Sequence, residues 1–141
     1  MCSEKELICR AMAAAKNAYA PYSGFRVGAA LLAKDGTVTT GCNIENAAFS
    51  PTCCAERVAV FKAVSEGQHD FTAIAVVGTP ADGAPRDYTA PCGVCRQVLQ
   101  EFCDPRTFRI IMAKSEDDYK TLRLEELLPH GFGGGFFTKE A

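Results

Sequence analysis

Apolar positions recur along the chain at two different periods, and each change of period marks an element. Leu7, Ile8, Ala11, Ala15 and Ala18 fall at helical intervals, with Ser3 and Glu6 in the spacing of a capping box. A helix is predicted from Ser3 to about Tyr19. Pro21 and Ser23-Gly24 end it, because proline disfavours helical geometry in the residue before it and glycine accepts turn dihedrals. From Phe25 to Leu32 the chain is apolar, and Asp35-Gly36 carries a tight hairpin signal ahead of Val38 to Cys42. Two antiparallel strands are expected there. Asn43 to Ser50 reads as a loop, and Ser50-Pro51-Thr52 supplies the cap and first turn of a second helix running to about Glu66, closed by Gly67.

Phe71 to Val77 reads as a buried strand, followed by a loop from Gly78 to Pro91 rich in proline, glycine and aspartate. A third helix is predicted from about Cys92 to Phe102, stopped by Asp104-Pro105. Phe108 to Met112 and the shorter Tyr119 to Arg123 complete the strands, and Leu124 to Leu128 is a last helical turn. Strands alternating with helices predict an α/β fold: a three-layer α/β/α sandwich around one mixed sheet of about five strands.

At 141 residues and 48% hydrophobic, the chain has the length and core content of a single domain spanning 1–141. Within it, 131–141 forms a Gly/Phe-rich tail whose aromatics suggest docking onto another surface. Lys34, Asp35, Arg57 and Lys62 interrupt the early apolar blocks, so no membrane span is expected, and no secretory signal is visible at the start. A cytoplasmic location follows as the expectation. Fifteen basic and seventeen acidic residues, for a net charge of -2, give little basis for gripping a polyanion, so nucleic acid is not expected as the main ligand.

Eight cysteines in a chain without a secretory signal point to metal binding or core packing rather than disulfides. Cys54, and Cys92 with Cys95, each stand at the start of a predicted helix. A Cys-x-x-Cys pair there places both sulfurs on one face about a turn apart, and the free backbone N–H groups favour thiolate. A third thiolate from another helix start would complete a Cys₃ zinc site with one tetrahedral position open. Glu56, two residues beyond Cys54, is placed to take a proton from water at such a metal. Three thiolates leave the ion with net negative charge, which Arg57 and Arg96 on the same helices could offset by hydrogen bonds to sulfur. Cys2, Cys9, Cys42, Cys53 and Cys103 read as small buried hydrophobes. Taken alone, a Cys-x-x-Cys is shared with redox pairs and structural zinc sites.

In company, these residues resemble the small zinc-dependent cytidine deaminases. The resemblance is carried by Cys54-Ala55-Glu56-Arg57, by Pro91-Cys92-Gly93-Val94-Cys95-Arg96-Gln97 and by Asn43-Ile44-Glu45-Asn46. It extends from Tyr22 to Pro129, with Phe132 following. It implies a cytidine deaminase-like fold and one Zn²⁺ per subunit on Cys54, Cys92 and Cys95, with Glu56 carrying the proton in hydrolytic deamination of cytidine and deoxycytidine. It implies further that Asn43 and Glu45 bind the ribose 3′-hydroxyl, that Phe25 packs on the pyrimidine and that the Ala55 amide contacts the base. Two polar groups aimed at a hydroxyl reject an analogue lacking it, and a carboxylate repels a 3′-phosphate, which favours a nucleoside substrate. Finally, the resemblance implies a homotetramer in which Phe132 reaches a neighbouring subunit's pocket. Phe49 departs from the pattern, standing where many relatives carry tyrosine.

Three other readings compete. A binding module would close the zinc site with Cys53 or Cys42 as fourth ligand and leave Glu56 idle. A polynucleotide editor is disfavoured by Glu45 and the acidic balance, and a deaminase of antibiotic nucleosides is disfavoured by the same glutamate.

Overall fold

In the computed structural model, which describes residues 2–137, helices and strands alternate along the chain. They are α1 (Glu4–Ala15), β1 (Arg26–Ala33), β2 (Val38–Cys42), α2 (Ala55–Ser65), β3 (Phe71–Thr79), α3 (Gly93–Phe102), β4 (Arg109–Ser115), β5 (Asp118–Arg123) and α4 (Leu124–Leu127). The strands form one mixed sheet in the order β2-β1-β3-β4-β5. β3 and β4 run parallel and the other neighbours antiparallel. A parallel pair needs a crossover, and the connection containing α3 provides it.

Side-chain alternation along the central strands divides the core into two halves. Ala30, Leu32, Ala73, Ala75, Val77, Ile111 and Ala113 point to the face covered by Leu7, Ile8 and Ala11 of α1. Ala29, Leu31, Ile74, Val76, Ile110 and Met112 point to the opposite face, against Ala59 and Val60 of α2, Leu99 of α3 and Leu124 of α4. Burial on both faces is why these strands read as unbroken apolar runs. The three-layer α/β/α arrangement is the one expected.

Two helix boundaries differ from the sequence reading for one shared reason. α1 stops at Ala15 rather than near Tyr19, because Tyr19 forms a parallel bridge with Ile44. α2 starts at Ala55 rather than at Pro51, because Cys53 pairs antiparallel with the same Ile44 through two 2.9 Å hydrogen bonds. Thus the Asn43–Asn46 loop is stitched between two extended segments that local sequence preference assigned to helix. β3 also runs two residues past Val77, where Gly78 and Thr79 pair with Val27 and Arg26.

The approach of α2 to the sheet depends on Gly41. A Cβ there would lie 2.5 Å from the Ala55 carbonyl oxygen and 2.6 Å from the Ala59 nitrogen, both backbone atoms that cannot step aside. Among the described residues no helix is long and apolar enough to cross a membrane.

Candidate metal and active site

Cys54 and Cys92 are the N-cap residues of α2 and α3, both with extended backbone and neither using its side chain to cap the helix. Their sulfurs therefore remain available at the free amides of each first turn. The Sγ atoms of Cys54 and Cys92 stand 3.8 Å apart and those of Cys92 and Cys95 3.6 Å apart. All three sulfurs lie within 4.8 Å of one another. Tetrahedral coordination at a Zn–S bond of about 2.3 Å separates sulfurs by roughly 3.8 Å, so the cluster fits zinc. Among the described residues this group contains neither Cys42 nor Cys53. The closed Cys₄ reading thus loses its fourth ligand.

Charge around the thiols is uneven. Cys54 is drawn down to about 5, first by a hydrogen bond from the Cys95 thiol and then by the Arg57 guanidinium, whose Nη2 donates to Cys54 Sγ at 3.3 Å. The same contact raises the pKa of Arg57. Glu56 is only 4% exposed, and burial pushes its carboxyl up to about 7, with the Cys54 charge adding to the effect. A carboxyl whose proton affinity is raised by burial beside three thiols suits a proton carrier.

Arg96 differs from the expectation. Its Nε donates to the Pro91 carbonyl and its Nη1 to the Leu127 carbonyl, each at 2.7 Å, rather than to a sulfur. Being four residues after Cys92 put it on the right helix, but its guanidinium is taken up by two backbone carbonyls. It fixes the residue preceding Cys92 and ties it to the C-terminal end of α4.

A second group of polar residues lies along the stitched loop. Glu45 accepts hydrogen bonds at Oε1 from the Tyr22 and Ser23 amides, at 2.9 and 3.1 Å, and at Oε2 from Ser23 Oγ at 2.5 Å. The Ser23 hydroxyl, followed by desolvation acting the other way and the two amides, holds this carboxyl below the usual carboxylate range. Asn43 is buried, accepting from the Val27 amide at Oδ1 and donating from Nδ2 to the Phe25 carbonyl, both at 2.8 Å. Each side chain keeps spare capacity: a carboxylate offers about four acceptor sites, and an amide nitrogen two hydrogens.

Phe25 precedes β1 and lines a cavity of about 170 Å³ with Gly78 and Thr89. Gly78 is its seat, since a Cβ there would meet the Phe25 ring at 2.5 Å and also strike Thr89 Oγ1. From sequence, Gly78 reads only as a loop start and Ser23 only as a turn residue, neither with a part in the site. A glycine inside an apolar strand run was the available signal for the first; nothing local marks the second. Ala55 is fully buried at the first turn of α2. Phe132 is about half exposed, its ring edge-on to Phe136 at 5.8 Å between centroids. A groove of about 920 Å³ between α1, the 79–85 loop and the β4–β5 turn contains none of these residues. Chemistry rather than volume locates the site.

The comparisons with known proteins agree with this geometry. Residues 1–111 match the cytidine and deoxycytidylate deaminase zinc-binding region. A cytidine deaminase of Halalkalibacterium halodurans is 48% identical over 126 residues, covering 89% of this chain and 91% of that protein. One of Sporosarcina psychrophila is 46% identical over 136 residues, covering 96% and 92%. The crystal structure of cytidine deaminase from Burkholderia pseudomallei superposes with a TM-score of 0.83 at 43% identity, over 92% of this chain and 99% of that one. With three thiols spaced for zinc and a buried glutamate beside them, the chain belongs to the zinc-dependent cytidine deaminase family.

Proposed function

We propose that this protein hydrolyses cytidine and deoxycytidine to uridine and deoxyuridine with release of ammonia, in pyrimidine salvage. The observation that carries the reading is the convergence of Cys54, Cys92 and Cys95 next to a buried Glu56. Zinc, when bound, supplies the Lewis acidity that makes water a nucleophile at neutral pH. Glu56 accepts one proton of the attacking water and delivers it to ring N3, then carries the second, from the new C4 hydroxyl, to the departing amine, so C4 gains the carbonyl oxygen and ammonia leaves. Arg57 offsets thiolate charge through Cys54.

On the sugar side, the hydroxyl-binding capacity is complementary. The remaining N–H of Asn43 donates to the ribose 3′-oxygen and the free lone pair of Glu45 Oε2 accepts its proton. Both partners are held in place by the chain's own backbone before substrate arrives, which lowers the ordering cost of binding. Phe25 packs on the pyrimidine and the Ala55 amide contacts its edge.

The working form we propose is a cytoplasmic homotetramer that shares its active sites between subunits. Support comes from the apolar side chains left exposed near the site: Tyr22, Ile44, Phe49 and Phe132. Phe49 has a positive φ of 41° and stacks edge-on to Tyr22 at 5.6 Å, holding an aromatic pair outward with no hydroxyl at position 49. Phe132 would close a neighbour's pocket.

The test is ammonia release from cytidine, deoxycytidine, cytosine, CMP and adenosine, with and without a zinc chelator, alongside sedimentation to count subunits. Turnover of the two nucleosides that a chelator abolishes and zinc restores is the expected result. Equal use of free cytosine would overturn the sugar-side assignment, and chelator-resistant turnover the metal assignment.

A further inference from the structure

The helix that carries Cys95 also grips the segment that carries Phe132. Arg96 holds the Leu127 carbonyl, and one residue later Gln97 Nε2 donates to the carbonyl of Phe132 itself at 2.9 Å. One turn on, Gln100 lies beneath the glycines on either side. A Cβ at Gly131 would come within 2.8 Å of Gln100 Oε1, and one at Gly133 within 3.4 Å of the Gln100 carbonyl oxygen. Phe132 is thus an aromatic between two glycines, the most permissive backbone available, with a hydrogen bond at its own carbonyl.

We infer that Gln97 is a positioning residue for substrate binding, whose carboxamide fixes the Phe132 ring by tying its carbonyl to the helix begun by Cys92. This rests on the reading of Phe132 as a pocket-closing side chain. Losing the tether leaves Phe132 sampling many glycine-permitted orientations of which few can close a pocket. Apparent affinity falls by the fraction that remains competent, while the chemistry of a molecule once bound is unaffected. The defect therefore belongs in KM and not in kcat.

The experiment is steady-state deamination of cytidine by the full-length zinc-loaded protein and its Gln97→Ala, Phe132→Ala and doubly substituted forms, with Gln97→Lys as a donor-retaining control. Gln97→Ala should raise KM about fivefold, the worth of roughly one hydrogen bond, with kcat within about twofold. Phe132→Ala should raise KM further, the double variant should match Phe132→Ala alone, and Gln97→Lys should recover most of the loss. A raised KM in Phe132→Ala with an unchanged one in Gln97→Ala would overturn the tether. So would a Gln97→Ala penalty that persists undiminished in the Phe132→Ala background, or a fall in kcat alone. Phe132→Ala with an unchanged KM would instead remove the reading of Phe132 on which the tether depends. Should Gln97→Ala fail to fold, Gln97→Glu, which keeps the shape but turns an acceptor toward the Phe132 carbonyl, decides: a raised KM with a parental kcat supports the tether and a parental KM overturns it.

Discussion

Glu56 and Glu45 are the same side chain put to opposite uses by their surroundings. Glu56 sits in the first turn of α2, 4% exposed, and burial drives its carboxyl up to about 7. Glu45 sits in the stitched loop, where Ser23 Oγ and two backbone amides hold it ionised and below the usual range. One is placed to exchange a proton, the other to present a fixed charge. The difference shows that burial raises a carboxyl's proton affinity toward acid–base use, whereas donors that still leave a lone pair free hold the same carboxylate ionised as a fixed acceptor.

Glu56→Gln keeps the volume and removes the proton affinity. Turnover should fall by about four orders of magnitude with zinc content and subunit number unchanged, read by ammonia release and metal analysis. A loss below tenfold would take Glu56 out of the proton path. Glu45→Ala should leave thermal stability nearly intact and lower kcat/KM for cytidine by roughly a hundredfold or more, because Asn43 alone then faces the hydroxyl. Its discrimination between cytidine and 3′-deoxycytidine should shrink in step. Arg57→Ala removes the donor 3.3 Å from Cys54 Sγ and should cost about tenfold to a hundredfold in activity or zinc retention. Zinc retention and turnover both equal to the parent's would show the guanidinium to be a bystander.

The smallest effect sharpens the Glu45 side. Since its folded pKa is depressed, its contribution is present above the unfolded value of about 4.5 and is lost as pH falls through the lower folded value. Ser23→Ala removes the principal cause of that depression, so loss of cytidine affinity should begin at a higher pH than in the parent. At pH 7 the two should differ by less than about threefold. A KM profile between pH 4 and pH 7 reads the shift, and coincident profiles would contradict the role of the serine.

The sequence made the metal half of the site legible because its parts are local. Cys54 and Glu56 share one helix start, Cys92 and Cys95 another, and helix geometry converts such spacings directly into a shared face. The sugar half was legible only as a motif. That Asn43 spends its amide on the Phe25 and Val27 backbone, and that Ser23 anchors Glu45, depends on a loop returning beside residues some twenty positions earlier.

By itself, the pattern of residues determined the two-sided sheet, the helices that begin at cysteines and the chemistry of three thiols with a neighbouring carboxyl. Each follows from side-chain period, capping and local spacing, which act within a few residues. Tertiary structure alone decided that Ile44 would bind Tyr19 on one side and Cys53 on the other, cutting both helices short. It also sent Arg96 to two carbonyls and Gln97 to Phe132. Backbone groups must find partners once buried, and which partners stand within 3 Å is settled only after the sheet and its helices have packed.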